Sequence, residues 1–437
     1  MPRNQLWDIG WKSLQELETP LGILASGRHE VFGCIFGRDS LISSLGFLAI
    51  YERTRDPYFL TLSEKILRTL GALQGTETQI ESGEEPGKII HEFRPDNHAH
   101  LTGRPESPWY TYPAGEMRNY DSVDSTPLYL MTAHAYLRLG GDPAFVASIL
   151  PNIRAALLWL LRASDRNADG FIDYRFPPER RFGGLSVQSW MDSAESLFYE
   201  EALEGTGRPP YPIAPVEVQA YAWAALSAWA DYFSDEAGSK EDIAFGSELR
   251  DRARQLKSRF NEAFILTTPL RGKFASLAYA IDGEGKPLIA ARSSMGHVLW
   301  AVYKGESILE DKHIDGLRRR LLRRDLFVPQ AGIRTLTSHS LHYDPLSYHN
   351  GSIWPHDTAM LALGLENFGY QEDAKRVREA LLNAYSHFKT PIELFGYRRG
   401  FRDYKAACRT QAWSAAALLS ILQPEMMLAP AERASEL

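Results

Sequence analysis

The sequence predicts an all-α fold, an (α/α)6 toroid in which six buried helices are surrounded by six amphipathic ones. Three observations of the 437-residue chain support this prediction. Helical periodicity recurs along the chain, whereas alternating stretches typical of strands are scarce. The helical segments come in couplets, in which an almost wholly apolar helix is followed by one with a charged face. Long connections rich in glycine, proline and aromatic residues precede the apolar helices.

Six couplets are predicted in chain order. They are 40–53 with 58–73, 126–139 with 143–163, 216–234 with 240–263, 294–303 with 306–323, 352–368 with 371–388, and 410–422 with the N-terminal helix. The first helix of a couplet, such as LISSLGFLAIY, is apolar nearly all round and is predicted to be buried. The second, such as EDAKRVREALLNAY, is predicted to lie outside. Connections of about 20 residues or more inside a compact domain are typical of functional segments. We predict one catalytic domain over residues 1–437.

Composition limits the classes of partner. A formal net charge of −7 argues against a nucleic-acid partner, because phosphate binding needs a basic face. Cys34 and Cys408 are too few for a disulfide framework and show no metal-binding spacing, which favours a reducing cytoplasm. The N-terminus has no signal-peptide core, and no apolar run reaches membrane-spanning length. We therefore predict a cytoplasmic protein with no membrane partner and no cofactor, of open oligomeric state.

Distinctive polar clusters stand where buried helices are predicted to begin. They are GRDS (37–40), YDSVDSTP (120–127), APVEVQ (214–219), YHNGSIWPHD (348–357), and Glu393 with QAW (411–413). The inner helices of a toroid run in one direction, so these N-termini are expected to converge on one mouth. Helix capping is the alternative for Asp39 and Asp192. Capping does not explain the nearby Arg38, Trp190 and Trp354.

A mouth with carboxyls and aromatic rings but no thiol or metal cluster indicates glycoside hydrolysis. That reaction needs one carboxylic acid to protonate the leaving oxygen and one carboxylate to activate water. Serine-hydrolase, Walker and dinucleotide motifs are absent from the sequence. The run DRNADGFID (165–173) is similar to the start of a calcium loop. Its twelfth position is Phe176, where calcium requires a glutamate, so we predict a turn without metal.

Eight segments, in order, carry a family resemblance. They are FGRDS (36–40), GKIIHE (87–92), DSTPLYL (124–130), QSWMDSAES (188–196), APVEVQAYAWAAL (214–226), YHNGSIWPHDTAMLALGL (348–365), ELFG (393–396) and TQAWSAAALL (410–419). The chain resembles the amylo-α-1,6-glucosidase domain of glycogen debranching enzymes, within the six-hairpin glycosidase superfamily.

The resemblance implies an inverting, exo-acting hydrolase of α-linked glucosyl units. It assigns Asp192 as general acid and Glu393 as general base, and implies that Arg38 and Asp39 hold the glucosyl ring. The further predicted substrate-binding residues are Asp124, Gln188, Trp190, Glu217, Gln219, His349, Asn350, Trp354 and His356.

Neighbouring residues are expected to tune the two carboxyls. Trp190 and Met191 would desolvate Asp192 and raise its pKa, and Arg398 or Arg399 would keep Glu393 ionised. The rival acids or bases are Asp121, Asp124, Glu195 and Glu217.

Three alternatives to glycogen debranching stay open. Debranching enzymes carry further domains, and Arg409 stands where relatives vary, so a small α-glycoside such as glucosylglycerate is an alternative substrate. A sugar epimerase or polysaccharide lyase on the same fold would use proton-abstracting groups such as His297, His349, His356 or Tyr348. A carbohydrate-binding protein without catalysis is the third.

Overall fold

The computed structural model describes residues 1–202, 207–235, 239–268 and 272–422, which form thirteen α-helices. The helices are α1 (Arg3–Leu17), α2 (Gly37–Thr54), α3 (Pro57–Ala72), α4 (Ala99–Thr102), α5 (Ser125–Arg138), α6 (Pro143–Arg162), α7 (Val216–Asp235), α8 (Lys240–Ala263), α9 (His297–Trp300), α10 (Asp311–Leu321), α11 (Pro355–Asn367), α12 (Gln371–Phe388) and α13 (Ala412–Ile421).

Short antiparallel strands occupy the connections between the helices. They are β1 (Glu18–Thr19), β2 (Gly22–Ile23), β3 (Ile35–Phe36), β4 (Glu92–Arg94), β5 (Met117–Asn119), β6 (Ala214–Pro215), β7 (Ile265–Thr267), β8 (Phe274–Leu277), β9 (Ala280–Ile281), β10 (Pro287–Leu288), β11 (Phe327–Val328), β12 (Gly332–Ile333), β13 (Phe395–Tyr397) and β14 (Phe401–Asp403). Two sheets have three strands, β3–β4–β5 and β6–β9–β10, and the other four are hairpins. No strand among the described residues exceeds four residues.

Six helices contact one another in a closed ring. In order, α2 packs against α5, α5 against α7, α7 against α9, α9 against α11, α11 against α13, and α13 against α2. An outer helix covers most of them: α3 lies on α2, α6 on α5, α8 on α7, α12 on α11 and α1 on α13. The predicted predominance of helix pairs is therefore confirmed, as is the partnership of the N-terminal helix with the last couplet.

Burial follows the predicted division between inner and outer helices. Every residue of α13 is buried, as the apolar run AWSAAALLSI requires. The outer helices α3, α6 and α8 begin at side-chain caps, in which Asp56, Asp142 and Ser239 accept a backbone N–H. Most of the buried apolar residues form one large cluster from Leu6 to Leu422, and two small clusters lie apart from it.

The fourth couplet is shorter than predicted. Helix α9 has four residues, is preceded by a 3-10 turn at Ser293–Gly296, and α10 begins only at Asp311. A tight turn closed by the pair Tyr303 and Glu306 takes up residues predicted to be helical. Its central residues, Lys304 and Gly305, which were predicted to lie between the two helices, have φ of 49° and 78°.

Two further expectations can be compared with the structure. Cys34 and Cys408 are both buried and unpaired, so they form no disulfide with each other. Among the described residues, one helix, α6, is long enough and apolar enough to span a membrane, by length and composition alone. The expectation that no segment reaches that length is wrong for α6, which packs against α3 and α5.

Candidate active site

A cavity of about 370 Å³ opens where the inner helices begin. It contains seven of the thirteen predicted site residues, which are Arg38, Asp39, Trp190, Asp192, His349, Trp354 and Glu393. Helices α2, α11 and α13 start beside the cavity, and the connections supply its other walls. Helix N-termini converge at this cavity as predicted, and two connections bring both predicted catalytic carboxyls, Asp192 and Glu393, into the same space.

Arg38 fixes the position of Asp192. In the first turn of α2, its Nε donates to Oδ2 of Asp124 at 2.6 Å, and its Nη1 donates to Oδ2 of Asp192 at 2.9 Å. Its Nη2 donates to the carbonyl oxygen of Ser189 at 2.9 Å. Asp124 is wholly buried behind the guanidinium and does not line the cavity. Asp124 therefore holds Arg38 in place and does not itself contact the cavity.

Asp192 combines burial with a cationic neighbour. Its side chain is 23% exposed, so one face remains open to the cavity. Burial raises the pKa of Asp192, while Arg38 lowers it and the charge of Asp124 raises it, with a net increase. The direction predicted for this pKa is confirmed.

Glu393 is held by two hydrogen-bond donors. The hydroxyl of Tyr348 donates to its Oε1 in a short hydrogen bond, and the backbone N–H of Cys408 donates to its Oε2 at 2.7 Å. Burial raises the pKa of Glu393 to about 7, and both hydrogen bonds lower it. Arg398 and Arg399 are exposed around the β13–β14 turn and form no ion pair with Glu393 within the described residues. The expectation that these arginines keep it ionised is wrong.

Asp39 adds a third carboxyl to the cavity. Burial raises its pKa to about 8, the charge of Arg38 lowers it, and those of Asp192 and Glu393 raise it further. A carboxyl beside two other carboxyls is protonated more readily, because like charges disfavour ionisation. Asp39 can therefore donate a hydrogen bond near neutral pH.

Five aromatic rings form one connected group at the floor. Trp190 meets His349, Trp354, His356 and Trp413 edge-on, with centroid distances of 4.7 to 6.3 Å. His356 stacks on Trp413 at 3.7 Å and lies behind it, outside the cavity wall. Neither ring nitrogen of His356 has a hydrogen-bond partner among the described residues.

The family with the description "mannosylglycerate hydrolase MGH1-like glycoside hydrolase domain" matches residues 189–414, just over half of the chain. The match includes both Asp192 and Glu393. The chain belongs to this glycoside hydrolase family. A search of curated protein sequences found no match.

Solved structures share the fold at low sequence identity. A GH63 mannosylglycerate hydrolase from Thermus thermophilus, in complex with Tris, is 14% identical with a TM-score of 0.64 over 96% of this chain and 100% of that one. The same enzyme with Tris and D-glycerate matches equally well over 95% and 99%. A glycosidase variant in complex with glucose has a TM-score of 0.61 at 14% identity over 98% of both chains.

These comparisons establish a helical glycoside hydrolase. The resemblance to debranching enzymes is supported at that level, but its assignment to the amylo-α-1,6-glucosidase type is not.

In this MGH1-like hydrolase, two glutamines that were predicted to bind substrate instead form hydrogen bonds with backbone groups. Gln219 accepts from the backbone N–H of Ile172 at 2.9 Å and donates to the carbonyl oxygens of Ile172 and Pro215 at 2.7 and 3.0 Å. Gln188 donates to the carbonyl oxygen of Arg175 at 3.2 Å. Neither lines the cavity, so the structure does not bring them to the two carboxyls predicted to be catalytic.

Asn350 and Glu217 also lie behind the cavity wall. Asn350 accepts from Arg292 at 2.9 Å and donates to the carbonyl oxygen of Glu195 at 2.8 Å, which joins two connecting segments. Glu217 lies beside a small hollow of about 20 Å³, and burial raises its pKa to about 7. The structure places these two residues as supports of the site.

The rival carboxyls are placed away from the cavity. Asp121 pairs with the buried Arg180 at 2.7 Å, Asp124 pairs with Arg38, and Glu195 is exposed. None of them lines the cavity that contains Asp192.

Several residues of the cavity wall were not among the predicted site residues. They include Phe32, Phe36, His91, Glu92, Arg94, His100, Arg104, Trp109, Tyr348, Gln411 and Trp413. The segments GKIIHE, YHNGSIW and TQAW contain five of them, so their motifs were visible signals. Arg94 to Trp109 lie in the long connection before α5, where no local pattern marks a site.

A larger cavity of about 660 Å³ also exists, lined mainly by apolar parts of the inner helices. It contains none of the carboxyls of Asp39, Asp192 and Glu393, so the smaller cavity is the candidate active site.

The carboxyl oxygens of Asp165, Asp169 and Asp173 lie within 4.8 Å of one another. Asp165 accepts from two backbone N–H groups of that loop, as the predicted turn requires.

Proposed function

We propose that the protein is an inverting, exo-acting hydrolase of a small α-glycoside, of the mannosylglycerate or glucosylglycerate type. The observation that carries this proposal is the presence of Asp192 and Glu393 in one cavity with different partners. A cavity of about 370 Å³ suits a small ligand better than a branched polymer. The likeness to mannosylglycerate hydrolases supports the small-glycoside alternative over glycogen debranching.

The reaction would follow from the two carboxyls. Protonated Asp192 gives its proton to the glycosidic oxygen as the bond from that oxygen to the anomeric carbon breaks. Glu393 takes a proton from a water molecule, whose oxygen attacks the anomeric carbon from the opposite face. The product sugar therefore has the inverted configuration, and the aglycone leaves as an alcohol.

The surroundings favour this division of roles. Glu393 accepts hydrogen bonds from Tyr348 and the Cys408 N–H, which stabilise the charged form that a base needs. Asp192 has a raised pKa and is fixed by Arg38, so its proton is aimed from a constant position. Asp39 in its protonated form would donate to a sugar hydroxyl.

The architecture carries two further inferences. We infer that the closed ring of α2, α5, α7, α9, α11 and α13 is the predicted (α/α)6 toroid. The one large hydrophobic cluster, which runs from Leu6 to Leu422, supports one catalytic domain over the described chain.

Substrate screening with product stereochemistry tests the proposal. The purified protein would be incubated with mannosylglycerate, glucosylglycerate, isomaltose, panose, trehalose and limit dextrin. We expect turnover of a glycosylglycerate and little release from limit dextrin. Proton NMR of the first released sugar should show the β-anomer. An α-anomer would indicate retention and a nucleophilic carboxylate, and turnover of limit dextrin alone would restore the debranching function.

A further inference from the structure

We infer that Arg104 is the residue that recognises a carboxylate on the aglycone, so that this site selects acidic glycosides over neutral ones. This inference rests on the proposed function and names a specificity residue within it.

Arg104 is the arginine of the wall that has no ion pair among the described residues. Three arginines line the cavity, and Arg38 is paired with Asp124 and Asp192, while Arg94 is paired with Glu92. The Nε of Arg104 donates to the carbonyl oxygen of His100 at 3.1 Å. That hydrogen bond orients the guanidinium and leaves both Nη groups for a ligand.

The depth of the wall residues indicates which part of a substrate each would meet. Arg38, Asp39 and Glu393 are buried, whereas His100 and Arg104 are exposed at the outer part of the same cavity. In an exo-acting hydrolase the terminal sugar enters first and the aglycone stays nearer to solvent. Arg104 therefore stands on the aglycone side.

An outer cation would favour an anionic substrate, because the two inner arginines, Arg38 and Arg94, are already paired with carboxylates. Asp39, Asp192, Glu92 and Glu393 all line the cavity, and an aglycone carboxylate would be repelled by those that are ionised. A guanidinium with two free N–H edges binds a carboxylate in a bidentate manner, which gives both attraction and orientation. Neutral aglycones would gain nothing from this contact.

The segment that carries Arg104 is anchored. Leu101, Trp109 and Met117 form a buried cluster with Leu185 against it, and the backbone N–H of Trp109 donates to the carbonyl oxygen of Leu101 at 3.2 Å. The guanidinium is thus presented from an exposed turn after α4 whose two ends, at Leu101 and Trp109, are packed. A binding group on such a support loses less conformational entropy when its ligand arrives.

The test compares Arg104→Gln with wild type on two matched substrates. One is a glycosylglycerate, and the other is the glycosylglycerol of the same sugar, in which a hydroxymethyl group replaces the carboxylate. We expect Arg104→Gln to raise KM for the glycerate substrate about 10- to 100-fold with little change in kcat. KM for the glycerol substrate should not change. Arg104→Lys should give an intermediate KM, because lysine keeps the positive charge but cannot bind a carboxylate through two parallel N–H groups.

Arg324→Gln is the control, since Arg324 is an exposed arginine that does not line the cavity. Equal effects of Arg104→Gln on both substrates, or no effect, would overturn the inference. Calorimetric titration with D-glycerate alone separates it from the proposed function. Weaker glycerate binding by Arg104→Gln supports the role of Arg104 even if no glycoside is hydrolysed. Unchanged binding refutes it even if glycosides are hydrolysed.

Discussion

The phenolic hydroxyl of Tyr348 donates a hydrogen bond to Oε1 of Glu393, although 45 residues separate them in the chain. Tyr348 lies in the connection before α11, and Glu393 lies just before β13. This contact stabilises the ionised form of a carboxyl whose burial otherwise favours the neutral form. The pKa of the proposed base therefore depends on this tyrosine hydroxyl together with the backbone N–H of Cys408.

Tyr348→Phe should move the acid limb of the pH profile. Glu393 must be ionised to accept a proton, so kcat/KM of the wild type should fall as pH drops below about 7. Removing the hydroxyl raises the pKa of Glu393, so the limb should move to higher pH by about one to two units. Steady-state kinetics from pH 5 to 9 measure the limb. Tyr404→Phe is the control, since its ring packs on Tyr348 at 5.8 Å, and an equal shift in both variants would contradict the assignment.

Asp192→Asn and Glu393→Gln should each abolish turnover without unfolding the protein. Each change removes one proton-transfer group while keeping nearly the same volume, so kcat should fall by at least about 10²- to 10⁴-fold. Thermal melting with circular dichroism checks that the fold is intact. Glu195→Gln is the matched control, because Glu195 is exposed three residues from Asp192 and outside the cavity. Near wild-type turnover in either cavity variant would remove that carboxyl from the mechanism.

Much of the fold could be predicted because periodicity and caps are local. The bounds of α8 and α12 agree with the sequence to the residue, since each has one apolar stripe and clear ends. In the fourth couplet the predicted break at Lys304 and Gly305 is a turn, but residues 301–303 and 306–310 on either side of it, which were predicted to be helical, are not helical.

The site could be predicted only in part. Arg38 stands in the first turn of an inner helix and Asp192 in the connection before α7, and both belong to motifs that the sequence reveals. Gln219 was misplaced, because a polar residue in the first turn of an inner helix has the same local pattern whether it meets substrate or the Ile172 backbone. Arg104 and Tyr348 both line the cavity although they lie in different connections. Their meeting there depends on tertiary packing, which no local sequence spacing encodes.

Arg38→Gln should lower both stability and activity. It leaves Asp124 buried and unpaired, and breaking a buried ion pair in this way costs about 3–5 kcal/mol of unfolding free energy. Because Arg38 lowers the pKa of Asp192, its removal should raise that pKa and shift the alkaline limb of residual activity to higher pH. Arg38→Lys keeps a charge and should shift the limb less.

Arg180→Gln is the matched control for Arg38, since Arg180 forms a buried pair with Asp121 outside the cavity. It should lower stability to a similar degree without moving either limb. Urea denaturation and pH-dependent kinetics measure the two effects. A limb shift in Arg180→Gln as large as that in Arg38→Gln would mean that the shift reflects general destabilisation.

Gln219→Ala should destabilise the protein while leaving the catalytic parameters of the folded enzyme unchanged. The Gln219 amide satisfies both the N–H and the C=O of Ile172, and its loss leaves two buried backbone groups without partners. Each unsatisfied group costs about 1–3 kcal/mol, so the urea midpoint should fall clearly. Below the unfolding temperature, kcat and KM per folded molecule should match wild type, because Gln219 does not line the cavity. Gln219→Glu provides a second variant of similar size, which keeps an acceptor for the Ile172 N–H but loses the donor to its carbonyl oxygen. A rise in KM without loss of stability in either variant would instead place Gln219 in contact with substrate.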